Sequence, residues 1–494
     1  MHEINHKMAK GAAWMVILKV VERLIGLVSM MILARLLIPA DYGLMAMAWS
    51  IIAVLEVMGT FRFDLAIIQI KKVVDYHYDT AWTYTIIVAI VTSLILALLA
   101  LPAAHFYNDH RLEYIMYVLA IGTFAQGFEN IGVVAFQKDI NLKLDFIFQV
   151  TKKVVSFAVT IGIAIVYKNY WALVIGTVSS RFVGVIFSYM IHPYRPKFSL
   201  AGGSDLFHFS KWMLINNIMI FINNRSVDFI LGKMAGPGAL GTYSMANEIA
   251  NLPTTELVWP IGRALFPGYV KLLHDMPAFR KSFLNALGLI ITFALPVGIG
   301  IAVLSEPLIS ILLGQKWAGA VRVMQILAVY GAIRACYTSL GSVFLALGLP
   351  KLISKLAILN IFILIPILFW AVPLWGAVGA ALSMLAALIV QFNFYYLVLM
   401  KKIKLNFLQI FAVAWRPLCA TLIMALVVDL TNRTTMLYYH NVWQLLSCVA
   451  TGIVVYVFFI LFLWKLFGSP AGAERLILDF VKSRIQRFQH QTVT

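Results

Sequence analysis

Eleven charged side chains interrupt four stretches that are otherwise apolar enough to cross a membrane. They are Lys19, Glu22 and Arg23 in the first stretch, Glu56, Arg62 and Asp64 in the second, Arg225 and Asp228 in the seventh, and Glu248, Glu256 and Arg263 in the eighth. A charge at mid-bilayer costs about 2.5–3.5 kcal/mol, so eleven facing lipid would cost on the order of 30 kcal/mol, more than folding can absorb. They must pair, line a wet cavity, or lie near the interface. A cation in such a cavity offers charge-assisted hydrogen bonds to phosphate oxygens. A carboxylate that changes protonation there can bias one conformation over another.

Helical spacing groups these residues. Lys19 and Arg23 are i, i+4, with Glu22 beside them. Asn217, Phe221, Asn224 and Asp228 form a stripe, and Glu248, Thr255, Glu256, Trp259 and Arg263 fall within roughly 100° of arc. Pro253 and Pro260 interrupt that last helix, which is tolerated where freed carbonyls face a cavity or packed neighbours. The candidate substrate-binding cations are therefore Lys19, Arg23, Arg62, Arg225 and Arg263. Glu22, Asp64, Asp228, Glu248 and Glu256 are candidate coupling or ion-pair carboxylates, and Asn217, Asn224, Thr255 and Trp259 are candidate polar lining. Bland alternatives stand beside these roles. Glu22 with Arg23, and Arg225 with Asp228, could be plain ion pairs. Arg62 and Asp64 could snorkel. The asparagines could be interhelical glue, and Trp259 could simply pack.

The elements that position these groups follow from composition. The chain has 494 residues, 62% hydrophobic and 12% charged, against about 25% charged for a soluble domain. Apolar runs of roughly 20 residues recur throughout, so the expected class is an all-α polytopic membrane protein. Fourteen spans are expected, near 10–37, 43–66, 77–102, 111–137, 142–167, 170–192, 207–234, 239–270, 280–313, 318–347, 351–371, 374–400, 409–429 and 441–467. Cys336, Cys419 and Cys448 lie inside apolar runs and read as small hydrophobes. No phosphate-binding loop, nucleophile elbow, zinc or paired-cysteine motif occurs, so neither catalysis nor a metal or cofactor is expected.

The net charge of +18 has a membrane explanation rather than a nucleic-acid one. Loops alternate between a side with about twenty Lys and Arg and a side with about four, which predicts both termini in the cytoplasm. Residues 32–48, ILARLLIPADYGLMAMA, reappear as ILGKMAGPGALGTYSMA at 230–246. The copies lie at the outer ends of spans 1 and 7, an even number of crossings apart, so the repeat is parallel. The division is expected to be an N-lobe over 1–192, a cytoplasmic linker over 193–206, a C-lobe over 207–400, an extra helix pair over 401–467, and a basic tail over 468–494. In that tail a helix from 473 to 490 could rest on the inner leaflet or be solvated.

The segments LARLLIPADYGLMAMA (33–48), DLAIIQ (64–69), ILGKMAGPGALGTYSMANEIANLPTTE (230–256), RALFPGYVKL (263–272) and LLGQKWAGAVRVMQILAVYG (312–331) resemble the polysaccharide flippases of the multidrug/oligosaccharidyl-lipid/polysaccharide superfamily, nearest its Wzx-like branch. The resemblance implies two six-helix lobes in a V around a central cavity, plus two extra C-terminal helices. It implies a bacterial inner-membrane protein that moves an undecaprenyl-diphosphate-linked oligosaccharide outward. Partners would be that substrate, membrane lipids, and a polysaccharide polymerase with its assembly proteins. In such flippases spans 1, 2, 7 and 8 line a cationic cavity, and Arg23, Arg62 and Arg263 match its arginines by position. The rival readings are a cation-coupled drug antiporter of the same superfamily and, further off, a polymerase or ligase.

Overall fold

The computed structural model describes residues 2–58, 67–68, 74–201, 211–251, 259–436, 442–469, 472–475, 478–479 and 482, with the backbone alone at 2–7, 9, 56–58, 211–220, 224, 259–264, 338 and 436. Among the described residues every regular element is helical. They are α1 (His2–Leu36), α2 (Pro39–Met58), α3 (Asp75–Leu98), α4 (Ala100–Tyr107), α5 (Arg111–Gln126), α6 (Val134–Lys138), α7 (Leu142–Tyr167) and α8 (Trp171–Ile191). Then come α9 (Lys211–Ala250), α10 (Trp259–Lys271), α11 (Met276–Val303), α12 (Ser305–Leu312), α13 (Ala320–Ala346), α14 (Pro350–Ile403), α15 (Phe407–Met436) and α16 (Val442–Leu466).

Eight of these helices are long and apolar enough to cross a membrane, and the bent α5–α6 pair makes a ninth. The chain is thus a multi-pass membrane protein. Their outer faces are apolar, as at Leu94, Phe362, Trp370, Leu426 and Phe458, because lipid rather than water is the solvent there.

Two of the longest helices contain a break. At about 1.5 Å per residue, α14 would run about 80 Å, far beyond a hydrocarbon core of about 30 Å. It breaks at Gly376 (φ 53°, ψ −126°), just after Pro373. Gly379 then lies directly against the Ala371 carbonyl, where any side chain would collide. The break separates the stretches expected as spans 11 and 12. Likewise α9 breaks at Gly236 (φ 78°, ψ −179°), immediately before Pro237.

The residues group into two compact units, 1–242 and 243–494, with the boundary just past the second repeated turn. In the first unit α7 packs on α1 and α8, and α5 on α3 and α8. Leu33, Leu37, Ala164 and Ala172 fill the α1/α7/α8 junction, and Gly176 lets α8 close on Thr160 of α7. In the second unit α11 packs on α13 and α15, and α13 on α10 and α14. Its core holds Tyr269, Phe279, Phe283, Leu340, Phe344, Tyr395 and Leu399. The expected extra pair, α15 and α16, joins through Ala420, Met424, Cys448 and Tyr456. The Tyr456 hydroxyl donates to the Thr292 carbonyl of α11 at 2.7 Å.

Candidate functional site

The repeated turns are built differently and meet. In the first copy Pro39 opens α2, where its missing N–H is no loss. One carboxylate oxygen of Asp41 accepts from the Ile38 N–H at 3.0 Å, and the other from the Tyr170 N–H at 3.1 Å. Buried Asp41 thus ties the starts of α2 and α8 together. The second copy has Ala239 at the equivalent position, and there the positive φ of Gly236 makes the corner. A Cβ on Gly43 would collide with the Pro237 backbone, and one on Gly241 with the Pro39 backbone and the Gly43 nitrogen. The two copies therefore cross backbone on backbone, each glycine seated on the other copy's proline.

Beside this crossing lies a polar and aromatic cluster. The Tyr107 hydroxyl and Ser50 are 3.0 Å apart, and Ser50 donates to the Met47 carbonyl at 2.7 Å. The Tyr107 ring stacks near Phe229 and reaches Gly232, where a Cβ would crowd it. Lys233 lies over the Phe106 ring at 5.4 Å. About two helical turns before Lys233 on α9, Arg225 pairs with the buried Asp228 at 3.0 Å, with 39% of the arginine side chain exposed.

The other expected site residues are placed as follows. Glu22 pairs with Lys19 at 2.9 Å rather than with Arg23, and the Lys19 side chain is 72% exposed. Arg23 is half-buried on α1. Glu248 is exposed on the last turns of α9. Asn217 and Asn224 fall on α9, Trp259 and Arg263 on α10, and Glu56 on α2, with side chains outside the described residues. Arg62, Asp64, Thr255 and Glu256 lie outside the described residues altogether. Among the described residues no group of His, Cys, Asp and Glu could hold a metal.

Several charged groups escaped the sequence reading. Lys152 pairs with Glu129 at 3.0 Å. Arg181 donates to Thr123 and, at 3.3 Å, to the Leu119 carbonyl. Arg334 reaches Asn251 at 3.4 Å. Arg416 and Glu474, both buried, pair at 3.1 Å. The available signal was a lone cation inside an apolar run, at 181, 334 and 416. Each stands apart from the eleven charges grouped on spans 1, 2, 7 and 8. Glu474 also changes the reading of the tail. Gly468 and Ser469 at the start of the tail are exposed, whereas Ala473 and Glu474, where the tail helix is expected to begin, are buried in protein. Leu476, Ile477 and most of the residues beyond them lie outside the described residues.

Apolar outer faces, broken helices and ionic groups held inside the span region define a polytopic membrane transporter. The fold resembles the lipid II flippase MurJ (TM-score 0.70, 14% identity, 92% of this chain and 99% of that one). It also resembles a multidrug resistance MATE family transporter of the MOP superfamily (TM-score 0.59, 14% identity, 78% of this chain and 95% of that one). Residues 32–322, more than half of the chain, match the family described as polysaccharide biosynthesis protein. The chain belongs to that family, whose match includes both repeated turns. Among its relatives is the lipopolysaccharide biosynthesis protein WzxC of Escherichia coli K12 (24% identity, 81% of this chain and 82% of the relative). The succinoglycan biosynthesis transport protein ExoT of Rhizobium meliloti is 24% identical over 98% of both chains. The teichuronic acid biosynthesis protein TuaB of Bacillus subtilis is 23% identical over 70% of this chain and 73% of the relative.

Proposed function

We propose that this protein flips an undecaprenyl-diphosphate-linked oligosaccharide repeat unit from the cytoplasmic to the periplasmic leaflet of a bacterial inner membrane, for capsule, exopolysaccharide or O-antigen synthesis. The observation that carries this reading is the family match across both repeated turns. The relatives are named for chemically unlike polymers, lipopolysaccharide, succinoglycan and teichuronic acid. One architecture serving unlike glycans is best suited to reading a part of the substrate that does not vary with the glycan, which on this reading is the lipid diphosphate. Fourteen crossings, with both termini cytoplasmic as the loop charges predict, put the repeated turns on the periplasmic side.

The cycle is alternating access. Two lobes, with spans 1, 2, 7 and 8 facing a central cavity, admit the diphosphate and glycan from the cytoplasm while the polyprenyl chain stays in lipid. The Gly43–Pro237 and Gly241–Pro39 crossing supports a closed periplasmic end at that stage. Arg23, Arg62 and Arg263 hold the diphosphate, with Lys19 and Arg225 as further cations. The carboxylates Glu22, Asp64, Asp228, Glu248 and Glu256 either couple to an ion or pair with those cations. A polymerase and its assembly proteins take the product on the far side.

The test replaces Arg23 and Arg263 separately by Ala in the full chain and measures surface polysaccharide and protein level together. Loss of polysaccharide at unchanged protein level is expected. Normal polysaccharide in both variants would overturn the assignment. Cation-driven drug efflux by the wild type in vesicles would instead support the antiporter reading.

A further inference from the structure

The second unit contains a cavity of about 570 Å³ that the flipping cycle does not use. Its walls are α11 from Pro277 to Thr292, α15 from Gln409 to Arg416, Phe467 just past α16, and the short segment Gly472–Glu474. Three cations line it, Arg280, Lys281 and Arg416, against one carboxylate, Glu474. Two positive charges are therefore left over. Asn285 and Gln409 add hydrogen-bonding groups, and Leu284, Trp415 and Phe467 add an apolar edge.

The disposition of these charges is specific. Arg416 donates from Nη2 to one carboxylate oxygen of Glu474 at 3.4 Å, while its Nε lies 3.1 Å from the other oxygen, at ion-pair distance but with neither atom hydrogen-bonded among the described residues. The Arg280 Nε is buried and has no hydrogen-bond partner among the described residues. A buried guanidinium N–H without an acceptor is costly, and an anionic oxygen would satisfy it. Trp415 packs edge-on against Phe467 with centroids 4.8 Å apart, as interfacial aromatics do at headgroup depth. By the loop charges this end of α11 and α15 is expected in the cytoplasmic leaflet, where anionic lipids attract basic groups.

We propose that this cavity binds the phosphate headgroup of an anionic lipid from the cytoplasmic leaflet, with Arg280 and Lys281 as its principal ligands. Glu474 is the resident anion on Arg416. It limits affinity by repulsion and links headgroup occupancy to docking of the C-terminal segment. None of its lining residues is assigned to the flipping cycle, so the proposal stands or falls independently of that cycle.

The test uses the full-length protein reconstituted in bilayer discs of phosphatidylcholine doped with phosphatidylglycerol, then transferred to detergent, with retained lipid quantified by mass spectrometry. Wild type is expected to retain phosphatidylglycerol above its share of the disc. R280A/K281A should lower that retention about tenfold, the scale of lost charge-assisted bonds. E474Q should raise it and enlarge the thermal shift on adding phosphatidylglycerol. This opposite-sign variant keeps the test decisive if R280A/K281A folds poorly. Inorganic phosphate forms a second arm. If it displaces the lipid, the phosphate alone is the ligand; if it does not, the lipid anchor is part of recognition. Equal retention of phosphatidylglycerol in wild type and both variants, or no preference over phosphatidylcholine, would overturn the proposal.

Discussion

The Cα of Gly43 faces the carbonyl of Pro237 with no room for a side chain between them. Because Gly241 meets Pro39 in the same way, one methyl group on either side acts as a wedge. G43A or G241A is expected to hold the crossing apart. Cysteines placed near it, for example at Ser244, should react faster with an impermeant thiol reagent from outside, and surface polysaccharide should fall severalfold at similar protein level. Unchanged labelling and export in both variants would show that the crossing is incidental.

Asp41 caps two helix starts at once. D41A is expected to cost about 1–2 kcal/mol, the upper range for a lost cap, and to lower the thermal midpoint in detergent. Ala239 fills the same register of the second copy, so A239G should cost only about 0.5–1 kcal/mol, the cost of a helical glycine and less than the lost cap. A D41A protein as stable as wild type would refute the double-cap reading.

Arg225 and Asp228 allow pairing to be separated from transport. Breaking a fully buried pair costs about 3–5 kcal/mol; exposure of 39% of the Arg225 side chain lowers that figure here. R225Q should reduce abundance, and R225Q/D228N should restore it. Polysaccharide that returns with abundance marks a structural pair. Polysaccharide that stays absent in the rescued double variant marks the pair as part of the transport machinery, through Arg225 as a cation or Asp228 as a coupling carboxylate.

The segment after α8 is strapped to α3. The Asp79 carboxylate accepts from the Tyr194 hydroxyl at 2.7 Å and from the Lys197 N–H at 2.8 Å, while His192 Nδ1 accepts the Tyr194 N–H at 3.1 Å. Burial, then the nearby Arg195, hold the His192 imidazole below its ordinary range, with Asp139 opposing. A depressed histidine contributes its stability above the ordinary value of about 6.5 and loses it as pH falls through the lowered one. Protonated Nδ1 can no longer accept. Amide-exchange protection of residues 194–199, corrected for intrinsic rates, is expected to drop as pH falls below the ordinary histidine range. Flat protection down to pH 5, or strong protection in D79A, would contradict this.

Much of the fold was legible because lipid imposes one simple rule, a continuous apolar run closed by turn residues. Helix α7 begins and ends at the residues expected from Leu142 and Tyr167. The turn expected at 372–373, between spans 11 and 12, falls three residues later, at Gly376. What resisted reading was pairing. Spacing placed Glu22 beside Arg23, but which cation it meets depends on rotamers, and Lys19 takes it. Arg416 and Glu474 are 58 residues apart, and no local period connects them. The repeat told which two turns were alike, whereas their mutual contact is a tertiary fact that Pro39 and Gly241 do not announce.

The two corners are alike in sequence and unlike in fastening. The first is bolted through Asp41 to the start of α8; the second turns on Gly236 and has alanine where the bolt would be. An opening at this end would then resemble a door more than a pair of jaws, with the Pro39 side as the post and the Pro237 side as the leaf. A pseudo-symmetric chain would thereby acquire a directional hinge from a single aspartate.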